Sequence, residues 1–195
     1  MTGTFQFQHQ ALSGLQTVSP FCAEDKRGFF LKSFERTVFQ RHGIDTQGFE
    51  LFFTRSARGT LRGLHLQRRH SQDKLVQVLC GAVYDVAVDL RAGSATFGQW
   101  QGFYLTAENR QMLYIPKGFA HGFLALEDGT LFSYLCGDCY DPESDGGIRW
   151  NDPQLAVRWP LERVEQITLS EKDAALPTLA EFLERYGPLT AGETP

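Results

Sequence analysis

Apolar and polar residues alternate along several short stretches of the chain, with the period of two that is typical of a β-strand. The clearest stretch runs from 83 to 90. One row of this predicted strand is Tyr84, Val86, Val88 and Leu90, and the other is Val83, Asp85, Ala87 and Asp89. The same pattern predicts strands at 75–80, 99–106, 110–115, 120–126 and 130–136, and one strand within 5–21.

Turn residues separate these predicted strands. Gly81-Ala82 is a two-residue β-hairpin signal between two predicted strands, Asp128-Gly129 is another strong hairpin signal, and Glu108-Asn109 marks a further turn. The two Gly-containing dipeptides predict that the strands on either side of them pair with each other.

Two segments have helical features. Residues 33–42 form a weak helix candidate, with Ser33 as its cap and Gly43 as its end. Residues 179–186 form a second candidate, which ends at Gly187-Pro188.

Many short strands with tight turns and little helix predict a sandwich or barrel, and a double-sheet jelly roll fits best. The fold class is therefore all-β with a few short peripheral helices. Sixteen Phe, six Tyr and three Trp suit a β-rich core. The length of 195 residues fits one domain over residues 1–195, long enough to bury a substantial core.

The net charge and the hydrophobic pattern limit the binding partners that we expect. The formal net charge of -4 argues against nucleic acid as the main partner. Neither a signal peptide nor an apolar run of membrane-spanning length is visible, so we expect a cytoplasmic protein without a membrane partner.

The four cysteines include the CxxC motif Cys136-Gly137-Asp138-Cys139. A zinc site of this kind normally needs a second Cys or His pair, which the sequence does not offer. A redox motif should open a helix, whereas Tyr140-Asp141-Pro142 follows as a turn. We therefore expect reduced thiols.

The segment from Leu61 to Lys74 concentrates positive charge in an acidic chain, which suggests an anion site. Arg62 and His65 lie among leucines, where a cation needs a partner or a function. Strict alternation would put these two side chains on opposite faces of the strand, but Gly63 permits a bulge between them.

Several blocks then carry a family resemblance: LRGLHLQ, KLVQVLCGAVYDVAVDLR, TFGQW, IPKGFAHGF, FSYL, GIRWNDP and LSEKD. In this order, from about Arg27 to about Pro177, they resemble the dTDP-4-dehydrorhamnose 3,5-epimerase family. The resemblance implies a homodimeric, metal-independent cupin jelly roll without a cofactor. It also implies an isomerase that inverts C3 and/or C5 of a nucleotide-linked 4-keto-6-deoxyhexose, on the way to L-rhamnose.

The same resemblance implies residue roles. His65 matches the base, Asp173 the carboxylate that orients it, Tyr134 the acid on the opposite face, and Lys74 the cation that stabilises an enolate. The substrate-binding positions it implies are Arg27, Phe30, Arg62, His121, Tyr140, Asp145 and Lys172, with Tyr140 stacking on the nucleotide base.

Three alternatives remain open. One is a single-centre 3- or 5-epimerase of another 4-keto-deoxysugar, for example a CDP-linked one. Another is a metal-dependent cupin, but His65 is followed by Leu66 and Gln67 rather than by a second histidine and a glutamate. The last is a non-catalytic sugar-nucleotide binder, against which the four matched catalytic positions argue.

The chain departs from the usual family pattern at Lys32, which stands where a glutamate is common, and at Glu50-Leu51-Phe52, where Gln-Asp-Asn is common. We expect these changes to shift substrate preference while the chemistry persists. For the expected homodimer, the sequence offers an apolar N-terminal segment that could cover a partner's sheet edge (Phe5, Phe7, Leu12 and Leu15).

Overall fold

The computed structural model describes residues 4–45 and 48–189, and most of its regular structure is β. The strands within these ranges are β1 (Gln6–His9), β2 (Gln16–Ser19), β3 (Phe21–Asp25), β4 (Gly28–Lys32), β5 (Glu50–Ser56), β6 (Leu61–Gln67), β7 (Lys74–Cys80), β8 (Ala82–Asp89), β9 (Trp100–Thr106), β10 (Met112–Ile115), β11 (Phe119–Ala125), β12 (Thr130–Cys136) and β13 (Asp145–Gly147). The helices are α1 (Arg36–Arg41), α2 (Glu171–Ala174) and α3 (Leu179–Tyr186), with one 3₁₀ turn at Leu161–Arg163.

Two antiparallel sheets form the body of the molecule. The larger sheet has the strand order β1-β2-β10-β7-β12-β5, and the smaller sheet has the order β13-β6-β11-β8-β9. Strands β3 and β4 pair only with each other and form a separate two-stranded arm. The predicted all-β jelly roll with short peripheral helices is confirmed.

Both predicted hairpins are wrong as strand pairings, although the turns themselves exist. Strand β7 pairs with β10 and β12, whereas β8 pairs with β9 and β11. Likewise β11 and β12 flank Asp128-Gly129 but lie in different sheets. A turn signal marks where the chain reverses, but burial decides which strand it then joins. Strand β8 is buried on both faces, so it lies in the smaller sheet, between the core and an outer cover.

The N-terminal predictions were only partly right. The segment 5–21 contains two paired strands, β1 and β2, rather than one. Helix α1 is shorter than predicted, and its N-cap is Glu35. Ser33 does not cap it, because the Ser33 hydroxyl donates to Gln77 Oε1 at 2.7 Å. The predicted end is supported: His42 is the C-cap and Gly43 follows with a φ of +77°.

The C-terminal helix has the predicted bounds. Helix α3 runs from Leu179 to Tyr186 and ends at Gly187. Thr178 and Glu181 form a capping box at its start, so backbone donors in the first turn find acceptors.

Three apolar clusters hold these layers together. The first lies between the two sheets and includes Phe123, Phe132 and Tyr134. The second lies on the outer face of the smaller sheet, where residues after 147 cover it through side chains such as Trp159 and Phe182. The third packs α1 onto the outer face of the larger sheet. The C-terminal cover also carries α2 to β6, which positions one part of the site.

Two further observations concern the cysteines and membrane-spanning segments. All four cysteines are unpaired. None of the helices within the described residues is long and apolar enough to cross a membrane.

Candidate active site

A solvent-open cavity of about 220 Å³ lies where the inner faces of the two sheets meet. His65, Tyr134 and Lys74, which the sequence predicts as catalytic, all line it. Five predicted substrate-binding residues line it as well: Arg62, His121, Tyr140, Asp145 and Lys172. The tertiary structure thus gathers residues from distant parts of the chain around one space.

A β-bulge in β6 puts Arg62 and His65 on the same cavity. His121 is paired with His65 and Phe123 with Arg62, so β6 has one more residue than β11 between these points. Gly63 lies at the bulge with a φ of +115°. A Cβ there would stand 2.6 Å from the Cα of Gly122, so the backbones approach as closely as only glycine allows. This explains how the alternation is broken.

His65 is bonded to Asp173 of α2. The distance from His65 Nε2 to Asp173 Oδ1 is 2.5 Å, and the carboxylate is 4% exposed. Burial acts to raise the pKa of Asp173, but the hydrogen bond and charge of His65 and the donors of Ser170 and Gly63 outweigh it, so the pKa is lowered. Because an ionised carboxylate only accepts, Nε2 carries the proton and Nδ1 of the neutral ring is left as the acceptor.

Tyr134 faces the cavity from the other sheet. It lies on β12 and is 8% exposed. Burial, followed by the charge of Asp85, raises its pKa well above the ordinary value. The phenol is therefore protonated at neutral pH and can act as a proton donor.

Lys74 begins β7, beside Cys136 in the register. Burial lowers the pKa of Lys74, against the opposing effect of Cys136, Asp145 and Asp85. Burial likewise raises the pKa of the Cys136 thiol to about 11. The lysine therefore offers positive charge or N–H donors in a poorly solvated place.

His121 forms a second, fully enclosed His–carboxylate pair. Its Nε2 lies 2.8 Å from Asp85 Oδ2, with the side chains 3% and 0% exposed. The sequence analysis did not identify Asp85 as a site residue. The available signal was an acid between Val83 and Ala87 in the inward row of β8.

The rim carries three of the predicted binding residues, Tyr140, Asp145 and Lys172. The Tyr140 hydroxyl donates to Asp145 Oδ2 at 2.9 Å, and Lys172 forms an ion pair with the same carboxylate. This hydrogen bond is the first cause of the raised pKa of Tyr140. Tyr140 remains 55% exposed, so its ring is free to stack on a ligand.

Arg27 and Phe30 do not line this cavity. Both lie on the β3–β4 arm, where Arg27 pairs with Asp25 and Phe30 is 59% exposed. Lys32 is on the same arm and pairs with Glu35 at 3.0 Å. The structure therefore leaves the predicted roles of Arg27 and Phe30 as predictions.

Strand β5 contributes a row of cavity residues whose contacts the sequence did not reveal. Phe52 and Thr54 line the cavity. Glu50 Oε1 accepts the backbone N–H of Tyr140 at 3.0 Å. Leu51, by contrast, is 61% exposed on the outer face. Of the departures from the family pattern, Phe52 is thus the one that lines the cavity.

One group within the described ranges has metal-ligating potential. His70, Asp138 and Cys139 have donor atoms that all lie within 4.8 Å of one another. The loops from β6 and β12 bring His70 to the CxxC segment, which the sequence alone did not indicate. This group does not line the cavity, where His65 and His121 are each bonded to a carboxylate instead.

The arrangement suits proton transfer at carbon. A candidate base and a candidate acid come from different sheets, and a lysine lies on β7, the strand next to that of the acid. Such a set can remove a proton, stabilise the resulting anion and return a proton.

The comparisons with known proteins agree with this chemistry. The sequence model of the family described as dTDP-4-dehydrorhamnose 3,5-epimerase matches residues 9–181. The Methanothermobacter thermautotrophicus dTDP-4-dehydrorhamnose 3,5-epimerase is 45% identical, covering 91% of this chain and 96% of the relative. The Escherichia coli enzyme of the same name is 48% identical, covering 82% of this chain and 86% of that one.

A solved structure shows the same likeness in three dimensions. The Legionella pneumophila dTDP-6-deoxy-D-glucose-3,5-epimerase, in complex with dTDP-4-keto-L-rhamnose, superposes with a TM-score of 0.91 at 44% identity. The match covers 96% of this chain and 100% of that one. The chain belongs to the dTDP-4-dehydrorhamnose 3,5-epimerase family.

Proposed function

We propose that this epimerase acts on a nucleotide-linked 4-keto-6-deoxyhexose and inverts the carbons beside its ketone, C3 and C5, by deprotonation and reprotonation. The observation that carries the proposal is that His65 of the smaller sheet, bonded to Asp173 of α2, and the protonated Tyr134 of the larger sheet lie around one cavity. Inversion requires a base and an acid on opposite faces of the same carbon, and this arrangement supplies both.

In the first step, Nδ1 of His65 takes the proton from a carbon next to the ketone. The C–H electron pair forms a carbon–carbon double bond, and the carbonyl π pair moves onto the oxygen as an enolate. The Asp173 carboxylate stabilises the imidazolium that forms. Lys74 lies in the same cavity, and its ammonium form is favoured as the enolate charge develops, so it stabilises the transition state more than the ground state.

In the second step, the Tyr134 hydroxyl gives its proton to the same carbon from the opposite face. The enolate electrons return to restore the ketone, and the phenolate regains a proton from solvent while His65 releases one. The reaction consumes no oxidant, reductant or metal, so it balances with the chain's own residues.

The nucleotide is proposed to extend across the rim. Tyr140 presents an exposed ring and Lys172 a cation at that end, while Arg62 and His121 lie deeper along the cavity wall. Ligand pockets usually enclose about 300–1,000 Å³. The smaller volume here suits the reacting sugar, with the nucleotide lying beyond it.

The protein is further proposed to be a homodimer in the cytoplasm. The outer face of the larger sheet near β5 exposes a set of large apolar side chains: Phe49, Leu51, Phe53 and Leu79. An apolar surface of this kind marks an interface. Of the N-terminal residues expected to cover a partner's sheet edge, Leu12 and Leu15 are buried within this chain, whereas Phe5 and Phe7 are only partly buried.

In this dimer the β3–β4 arm gives Arg27 and Phe30 a role. The arm carries an exposed cation and an exposed aromatic ring away from its own sheets. We propose that it meets the nucleotide end of a partner's cavity, where both side chains suit a base and a phosphate.

The decisive experiment incubates the protein with 4-keto-6-deoxy sugars linked to dTDP, CDP, UDP and GDP in deuterated water. Deuterium at C3 or C5, measured by NMR, identifies both substrate and reaction. Uptake with inversion at both centres of the dTDP sugar supports the double epimerase and makes Lys32, Glu50 and Phe52 neutral for specificity. Uptake at one carbon, or a preference for another nucleotide, supports the single-centre alternative. No uptake with any of them rejects the proposal.

A further inference from the structure

Three aromatic rings surround the ring of Tyr134. Phe132 meets it edge-on with centroids 4.9 Å apart, and His121 lies at 6.0 Å and 73°. Phe52 instead stacks on its face, with centroids 4.7 Å apart and an interplanar angle of 15°. The position of the phenol is therefore set by packing on several sides.

Phe52 differs from the other two rings because it lies at the boundary with solvent. Phe132 is fully buried and His121 nearly so, whereas Phe52 is 41% exposed. It lies on β5, the edge strand of the larger sheet, directly opposite Tyr134 in the antiparallel register. No further strand of the described chain pairs beyond β5 in that sheet. Phe52 therefore separates the face of Tyr134 from water on this side.

We propose that Phe52 is a positioning residue that fixes the ring of Tyr134 and excludes water beside it, and thereby determines whether a deprotonated centre is inverted. The inference rests on the proposed function. It adds to the proposed base and acid a third residue, whose side chain forms no hydrogen bond and acts only by stacking on the ring of Tyr134.

The reasoning follows the fate of the enolate. If Tyr134 delivers its proton from the far face, the centre is inverted. If delivery is slow, the imidazolium of His65, after exchange with solvent, returns a deuteron to the original face, and the centre shows exchange with retention. Removal of the stacked ring lets the phenol turn and lets water reach it. The ratio of exchange with retention to exchange with inversion should therefore rise, because proton removal by His65 does not depend on the stack.

The first test compares Phe52→Leu with wild type in deuterated water, on the sugar nucleotide that the wild type turns over. NMR separates deuterium incorporated with retention from deuterium incorporated with inversion. A stacked aromatic pair is worth enough to change this ratio about three- to tenfold, and we expect a rise of that size toward retention. Total deuterium uptake should fall less than inversion does, since proton removal by His65 does not depend on the stack.

Two further variants separate positioning from packing. Phe52→Tyr keeps an aromatic ring at this place and should retain the wild-type ratio of retention to inversion. Tyr104→Leu is a matched control, because Tyr104 is 46% exposed and packs on Tyr84 with centroids 5.0 Å apart outside the cavity. It removes a comparable surface aromatic contact and should leave the ratio unchanged. Urea unfolding midpoints verify that each variant is folded.

The outcomes are distinct. A ratio that is unchanged in Phe52→Leu overturns the inference, as does an equal loss of exchange and inversion, which would signify general damage to the site. A ratio in Phe52→Tyr that differs from wild type as much as that in Phe52→Leu also overturns the inference. Wild-type protein that exchanges no proton on any 4-keto sugar rejects the proposed function itself, which the Phe52 variants alone cannot do.

Discussion

His65 and Asp173 are 108 residues apart in the chain, yet they form the shortest described contact between two predicted catalytic side chains. A carboxylate beside an imidazole orients the ring and favours its protonated form. The proposed base therefore depends on two residues that the packing of α2 against β6 brings together.

Replacement of His65 by Ala tests the base directly. General-base assistance is typically worth about 10²–10⁴-fold, so we expect deuterium uptake next to the ketone to fall by at least a hundredfold. His9→Ala, an exposed change on β1, serves as the control. A loss well under tenfold in His65→Ala would assign the base to another residue.

Replacement of Tyr134 by Phe tests the acid. The ring and its stacking partners stay, but the proton that inverts the centre is gone. We expect inversion to fall more than total deuterium uptake, as measured by NMR on the recovered sugar. Equal losses would leave Tyr134 without a separate role as the acid.

The Asp173→Asn variant tests how the His65–Asp173 pair makes the stability of the protein depend on pH. The pKa of Asp173 in the folded protein is below its ordinary value of 3.8, so its carboxylate contributes stability that is present above that value and lost as the pH falls toward the folded pKa. The free energy of unfolding of wild type should therefore drop more steeply from pH 5 to pH 3 than that of Asp173→Asn. Urea titrations at several pH values measure this. Parallel curves would contradict the ionised pair.

At the scale of elements, the bulge in β6 decides what the cavity contains. Without the extra residue, Arg62 and His65 would point to opposite faces of the smaller sheet. Gly63 makes the bulge possible because its backbone is left-handed and in contact with Gly122.

Gly63→Ala should therefore damage both stability and activity. A side chain at a φ of +115°, with its Cβ 2.7 Å from the His121 carbonyl oxygen, costs about 1–3 kcal/mol or more. Urea unfolding and deuterium uptake measure the two effects. Gly146→Ala is the matched control, since Gly146 pairs with Leu66 of the same β6 and has open space at its Cβ. Similar stabilities of the two variants would refute the argument.

The strands also show the limit of local signals. The turn at 81–82 was correctly located, but the pairing assigned to it was wrong, because the chain crosses from one sheet to the other there. Turn residues fix the reversal within a few residues, while sheet membership depends on partners that lie far away in the sequence.

At the scale of the molecule, the exposed apolar face near β5 predicts self-association. We expect light scattering to give about twice the chain mass of 22.0 kDa at micromolar concentrations. Phe53→Asp places a charge in this face, twice in a symmetric dimer, and should weaken association more than about a hundredfold. Leu161→Asp, at an exposed leucine of the 3₁₀ turn, is the control. A wild-type monomer would refute the dimer.

The sequence by itself determined the β-rich architecture, both rows of β8, the bounds of α3 and eight of the residues that line the cavity. These follow from periodicity, from helix caps, and from several ordered motifs that resemble one family. Periodicity and helix caps depend on residues close together in the chain, and each motif is recognised by its residue types. Both can therefore be identified in a single sequence.

Only the tertiary structure decided the exchange of strands between sheets, the burial of Asp85 against His121, the stacking of Phe52 on Tyr134 and the position of the β3–β4 arm away from the cavity. Each depends on contacts between residues far apart in the chain. Such contacts are selected by the burial of whole faces at once, and no short stretch of sequence contains that information.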